Sequence, residues 1–148
     1  MKEKNMLVVL KGFDNHFSII HNYFSHYNGR IWILWRADIL KIHAIDVCEQ
    51  IIHCHVEMTD GKYYHISVVY AHNTRGAKQC LWSQLINFHA VKKRSLVIRD
   101  FNFILLGQEK IGGNTHTTDI DDFADCICYC GSGNCQPLVL FSLGLIIN

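Results

Sequence analysis

Apolar and polar residues alternate with a period of two through much of the first half of the chain. In Gln50–Met58, apolar residues alternate with His53, His55 and Glu57. The sequence "TDGK" at 59–62 follows, and its central Asp-Gly favours a hairpin. Residues 63–70 alternate again, while the apolar segments 29–35 and 40–47 are also typical of strands, the first of them buried on both faces. Residues 29–70 are therefore predicted to form an antiparallel meander.

The period becomes helical after residue 74. Between Arg75 and Ala90 one predicted helical face carries Ala77, Leu81, Leu85 and Phe88, widened by Trp82 and Ile86. A second, short helix is predicted after the N-cap Thr118, because apolar residues recur there at helical spacing. The order of strands, helix, strand, loop and helix predicts an α/β layered domain, with helices packed on a largely antiparallel or mixed sheet.

Composition and charge limit the class of protein. The 148 residues suit one domain with a real core, and 49% of them are hydrophobic. The net charge of +1 creates no global attraction for nucleic acid, so such a contact would need a local patch. The apolar run Met6–Leu10 is too short for a secretory signal, and the 12 residues 137–148 are too few to span a membrane. With seven cysteines, an intracellular protein with reduced thiols is expected.

Two predicted strands end in polar residues. In "SLVIRDFNFIL", a buried strand runs into Asp100 and Asn102, which point the same way if the chain is extended. A carboxylate and a carboxamide placed together can orient a phosphate-attacking or metal-bound water. The alternative is a strand that ends in a polar turn, because Asp and Asn are common there.

The second polar strand end is "VVYAHN", which contains Tyr70, His72 and Asn73. If the strands that carry Tyr70 and Asp100 are neighbours joined by the helix, their ends meet on one edge and form a single polar pocket. The alternative is that Tyr70 is a core residue with a satisfied hydroxyl and that Asn73 caps the following helix.

The cysteine-rich segment "CICYCGSGNC" has the spacing C-x-C-x-C-x4-C rather than the paired C-x2-C of structural zinc sites. Cys126 and Cys130 lie one helical turn apart, so burial of small apolar side chains explains them. The ten histidines are scattered, and His16, His21 and His26 have no carboxylate companion in the sequence. Histidines that are solvated or hydrogen-bonded are therefore expected, and metal ligands remain unassigned.

Three segments together resemble one family. "GRIWILW", "ISVVYAHNTRGAKQCLWSQL" and "SLVIRDFNFIL", in this order, resemble the endonuclease/exonuclease/phosphatase domain (DNase I-like, AP-endonuclease-like) of plant LINE-type non-LTR retrotransposons. The resemblance covers residues 1–131 and includes the acidic "DIDDFADC", and a divergent tail follows at 132–148. It implies part of a four-layer α/β sandwich of two packed sheets. It also implies magnesium-dependent phosphodiester cleavage, DNA as the partner and the nucleus as the location.

The resemblance assigns roles to individual residues. The family signature Gly-Asp-Phe-Asn falls on residues 99–102, where Asp100 would align the attacking water and Asn102 would hold the phosphate or support Asp100. The signature Tyr-x-Pro-Asn falls on residues 70–73, which include Asn73, and Tyr70 would contact the scissile phosphate. Tyr70, Asn73, Asp100 and Asn102 are thus the predicted catalytic residues, in vestigial form.

The departures from the family pattern predict loss of activity. Arg99 replaces the signature Gly and His72 the signature Pro. The family's Glu-Thr-Lys/Arg segment would lie upstream of Lys2, and its Ser-Asp-His end is absent from residues 131–148. Because such residues act as a unit, the resemblance predicts a truncated, inactive relic that does not bind Mg²⁺.

Two other interpretations stay open. The sequence does not predict an oligomeric state under any of the three. One is an active magnesium-dependent endonuclease or phosphatase that forms part of a longer product. The other is a non-enzymatic interaction module or a cysteine-based metal-binding module. The segment after Gly131 is expected to pack poorly, because its apolar run has no assigned strand partner.

Overall fold

The computed structural model describes residues 8, 10–13, 15–92, 94–100, 121–122, 124–126, 128 and 139–142. Its elements in chain order are β1 (Phe17–His21), β2 (Trp32–Arg36), β3 (Leu40–Val47), β4 (Ile51–Met58), β5 (Tyr63–Tyr70), α1 (Arg75–Val91), β6 (Ser95–Asp100) and β7 (Val139–Ser142). Residues 121–122, 124–126 and 128 are helical, at the place of the predicted second helix. The fold is α/β, as predicted. None of the helices in this described part is long and apolar enough to cross a membrane.

The main sheet has five strands in the order β3-β4-β5-β6-β7. The first three are antiparallel neighbours, whereas β6 is parallel to β5 and β7 is parallel to β6. The hairpin between β4 and β5 turns at the predicted Asp60-Gly61, where Gly61 has a φ of 80°. The predicted mixed sheet and its central hairpin are therefore confirmed.

The predicted meander of residues 29–70 begins too early, because its first strand belongs to another sheet. Strand β2 pairs with β1, and these two strands form a separate antiparallel sheet. In β2, Ile33 is buried whereas Trp32 and Leu34 on the opposite face are only partly buried, so the expected burial on both faces is incomplete. An apolar composition predicts that one side of a strand lies in the core, but it does not predict which strand pairs with it.

Two hydrophobic clusters cover the two faces of the main sheet. The cluster on the α1 side contains Ile51, Val69, Ala71, Leu81, Trp82, Leu85, Val97 and Cys126. The cluster on the β1–β2 side contains Ile31, Ile33, Ile52, Cys54, Val56, Ile66 and Val68. Successive residues of a strand point to opposite faces, so β4 and β5 contribute to both clusters. The described residues thus form three layers, with the helix on one face and the β1–β2 hairpin on the other.

Strand β7 corrects the expectation for the C-terminal segment. Val139–Ser142 pairs in parallel with Leu96–Arg99 of β6, so these four residues do have a strand partner. A strand at the edge of a sheet presents unpaired backbone groups, and an apolar segment from elsewhere in the chain can satisfy them. The remaining residues of 131–148 lie outside the described residues.

Replacing Gly29 by Ala is expected to destabilise the fold by about 2–4 kcal/mol. Gly29 has a φ of 47°, and a Cβ there would lie 2.2 Å from the ring of Tyr23. The matched control is Gly61→Ala, because Gly61 also has a positive φ but open space around it. The Gly61→Ala substitution should lower the free energy of unfolding by only about 1 kcal/mol. Equal losses for both variants in urea unfolding would show that contact with Tyr23 is unimportant.

Candidate functional site

Two of the predicted site residues meet at one end of the main sheet. Strands β5 and β6 are parallel neighbours joined through α1, and the register pairs Tyr70 with Asp100. The predicted meeting of these two strand ends on one edge is therefore observed. The side chain of Asp100 and the whole of Asn102 lie outside the described residues.

The sequence beyond β5 places Asn73 near the same end. Asn73 is exposed and directly precedes Thr74, which is the N-cap residue of α1. The alternative role of Asn73 as the helix cap is therefore wrong by one residue. Tyr70 is half-buried and packs against the cluster on the β1–β2 side, and the guanidinium carbon of Arg30 lies 5.4 Å from the centre of its ring. Tyr70 therefore packs in the core and also lies at the strand end.

The turn between β3 and β4 is tied to this strand end by Gln50. Its side-chain Nε2 donates to the carbonyl of Ala77 at 2.8 Å, and its Oε1 accepts the backbone N–H of His72 at 2.7 Å. The backbone N–H of Tyr70 donates to the carbonyl of Gln50 at 3.0 Å. One buried carboxamide therefore holds the turn, the end of β5 and the first turn of α1 together.

Asn22 ties the loop between β1 and β2 to the same turn. Its side chain is fully buried, and Nδ2 donates to the carbonyls of Cys48 at 3.2 Å and Glu49 at 2.8 Å. Its Oδ1 accepts the backbone N–H of Ile31 at 3.0 Å. Because a buried amide needs its partners, this arrangement fixes where the loop lies against the turn.

Glu49 joins two histidines beside the strand end. Its Oε1 lies 2.8 Å from Nε2 of His72 and 3.2 Å from Nε2 of His26. The backbone N–H of Asn28 donates to Nδ1 of His26 at 3.2 Å, so the proton of a neutral His26 lies on Nε2 and is donated to Glu49. The expectation that His26 lacks a carboxylate companion is wrong. The two residues are far apart in sequence, and no local pattern reveals the contact.

The described side chains at this end do not fit a magnesium site. Mg²⁺ prefers carboxylate oxygens in octahedral geometry. The carboxylate of Glu49 is engaged by two imidazoles, and that of Asp122 accepts from Nε and Nη2 of Arg75 at 2.7 and 3.0 Å. Arg75 also lowers the pKa of Asp122. Within the described ranges, no group of three or more His, Cys, Asp or Glu is placed to hold a metal ion.

Of the cysteine-rich segment, the structure describes Cys126 and Cys128. Cys126 is buried under α1, and its Sγ lies 3.9 Å from the carbonyl of Trp82, whereas Cys128 is exposed. Burial in the core therefore accounts for Cys126. Cys130 and Cys135 lie outside the described residues.

A second polar cluster, His53–Ser67–His89, lies buried between the sheet and α1. The Oγ of Ser67 is 2.7 Å from Nδ1 of His53 and 3.1 Å from Nε2 of His89. The ring of His53 stacks on Phe88 with 3.9 Å between the ring centres. Burial lowers the pKa of His53 and of His89 to about 4. All three residues of the cluster are buried, so it is closed to solvent among the described residues.

Sequence patterns point to part of this arrangement. They placed Tyr70, Asn73 and Asp100 at strand ends, and they treated the histidines as solvated or hydrogen-bonded. They missed Asn22, Glu49 and Gln50, whose partners are distant in sequence. Comparison with known proteins adds no relative: no protein-family model matches the chain, and neither a curated protein nor a solved structure does.

Proposed function

We propose that the chain is a catalytically incomplete relic of a phosphodiesterase domain of the endonuclease/exonuclease/phosphatase type, related to LINE retrotransposon endonucleases. The observation that carries the proposal is the register pairing of Tyr70 with Asp100 at the ends of parallel neighbouring strands. The two segments that resemble the family's signatures are separated by a 17-residue helix, yet their strands lie side by side. A shared phosphate site requires this proximity.

The layering supports the same proposal. A helix covers one face of the mixed sheet, and the β1–β2 sheet covers the other. A four-layer sandwich of two packed sheets that lacks one outer helical layer would have this arrangement, with Tyr70 at the mouth between the sheets. If the kinship holds, DNA is the partner and the nucleus is the location.

Loss of activity is proposed from the residues that stand at the strand end. Arg99 and His72 occupy positions that the family signatures give to Gly and Pro. The carboxylates of Glu49 and Asp122 are held by imidazoles and by Arg75. A divalent metal would therefore have to compete with existing ion pairs.

The 148-residue chain is expected not to nick supercoiled plasmid or cut abasic DNA above background in magnesium, because its described carboxylates do not form a metal site. The measurement is gel-based nicking by the purified chain, with Asp100→Ala and EDTA as controls. All three reactions should look alike. Cutting that Asp100→Ala abolishes would show an active site and would favour the alternative of an active enzyme.

A further inference from the structure

The loop between β1 and β2 presents two aromatic side chains to solvent. Phe24 is 93% exposed and Tyr27 is 82% exposed. Single exposed apolar residues are common on protein surfaces and need no special explanation. Two almost fully exposed aromatic rings on one short loop, beside the end of the sheet, are a more specific feature than a single exposed residue.

Hydrogen bonds within the loop and to the turn after β3 hold the backbone that carries these rings. The backbone N–H groups of Ser25 and His26 donate to the carbonyl of Asn22 at 3.1 and 3.0 Å, and that of Gly29 donates to the carbonyl of His26 at 2.9 Å. The hydroxyl of Ser25 donates to the carbonyl of Val47 at 2.9 Å. Binding through such a loop costs little ordering entropy, because folding has already fixed it.

The loop that carries the two rings has no acidic residue. Residues 22–31 contain no Asp or Glu, but they contain His26 and Arg30. The His21 ring stacks on Phe24 at 5.9 Å, and the His26 ring stacks on Tyr27 at 4.9 Å between ring centres. The carboxylate of Glu49 reaches the loop through its contact with His26.

We propose that the β1–β2 hairpin binds single-stranded nucleic acid, with Phe24 and Tyr27 stacking on unpaired bases. Aromatic rings beside a cationic group are the common means of binding single strands without sequence preference, since every base has a flat face. Arg30, whose guanidinium lies over the ring of Tyr70, links the hairpin to the strand end and is placed to meet a phosphate. This binding does not depend on the proposed phosphodiesterase kinship.

Single strands are favoured over duplex because of the charge distribution. Bases in a duplex are already stacked on each other, so the protein can gain only from phosphates. The net charge of +1 offers little there. For a single strand, stacking adds affinity to the few contacts with phosphates, of which Arg30 supplies one. Raising NaCl from 50 to 200 mM should weaken binding less than about tenfold.

The test is fluorescence anisotropy of a labelled oligo(dT) 12-mer titrated with the purified chain in EDTA, which excludes any cleavage. A duplex of equal length is titrated alongside. The single strand should bind more tightly than the duplex. Phe24→Ala and Tyr27→Ala should each weaken binding to the single strand by about tenfold. Both side chains are exposed, so circular dichroism should show an unchanged fold.

The matched control is Phe13→Ala, which removes a 42% exposed aromatic ring that packs on Phe17 at the opposite end of the β1–β2 hairpin. It should bind the oligonucleotide as the wild type does. The proposal is overturned if the wild type does not bind the single strand, or if the two loop variants bind it unchanged. It is also overturned if sedimentation shows self-association that Phe24→Ala abolishes, because the rings would then contact a second copy of the chain.

Discussion

Lowering the pH from 7 to 4 is expected to reduce the free energy of unfolding by several kcal/mol, roughly 2–3 kcal/mol for each of two buried histidines. The histidines are His53 and His89, whose rings share the hydroxyl of Ser67. Ser67 has one proton to donate, so it can donate to one ring while it accepts from the other, which satisfies the hydroxyl when both rings are neutral. Protonating both would bury two positive charges beside each other.

The direction of the effect follows from the pKa values. The ordinary pKa of histidine is 6.5, and in the folded protein burial lowers that of His53 and of His89 to about 4. Asp46 opposes the lowering at His53, whereas the neighbouring His53 and His65 add to it at His89. Between pH 6.5 and pH 4, the unfolded chain binds protons that the folded chain does not. The stability is therefore fully present above about pH 6.5 and is lost as the pH falls towards 4.

Urea unfolding followed by tryptophan fluorescence, in steps from pH 7 to pH 4, measures this loss. His89→Gln removes one of the two buried imidazoles, so its loss over the same range should be about half that of the wild type. His43→Gln is the matched control, because it removes an exposed histidine of β3. A wild-type stability that stays constant down to pH 4.5, or equal slopes for wild type and His89→Gln, would contradict the role of the buried cluster.

Leu81→Ala should lower the free energy of unfolding by about 2–5 kcal/mol. This is a large part of the roughly 5–15 kcal/mol by which a typical domain is stable. Leu81 is 0% exposed and belongs to the cluster between α1 and the sheet, with Trp82, Leu85 and Val97. Truncation removes apolar contacts and leaves a cavity that rigid neighbouring strands cannot close. The measurement is chemical denaturation at pH 7.

Asn87→Ala provides the control for the helix itself. Asn87 is an exposed residue of α1, and Ala has the higher helix propensity, so this variant should stay within about 0.5 kcal/mol of the wild type. A loss below about 1 kcal/mol for Leu81→Ala would mean that α1 does not pack on the sheet through this face.

The helix and the central hairpin could be predicted from the sequence because their signals are local. The helical period starting at Arg75 predicted α1 to within one residue at its end, and its apolar face is buried as expected. The Asp60-Gly61 turn and the alternation on both sides of it predicted β4 and β5. The strand–helix–strand order also led to the expectation that the ends of β5 and β6 meet.

The tertiary structure alone decided which surfaces are covered. A period of two shows that His53 shares a face with His55 and Glu57, but not that α1 closes over His53. In the same way, the sequence did not predict which strands pair with β1 and β7, because the paired segments are distant in sequence or have weak strand patterns. The contact of Glu49 with His26 and His72 depends on three loops that come together. Local patterns determine which residues lie on one side of an element, whereas long-range packing determines what that side meets.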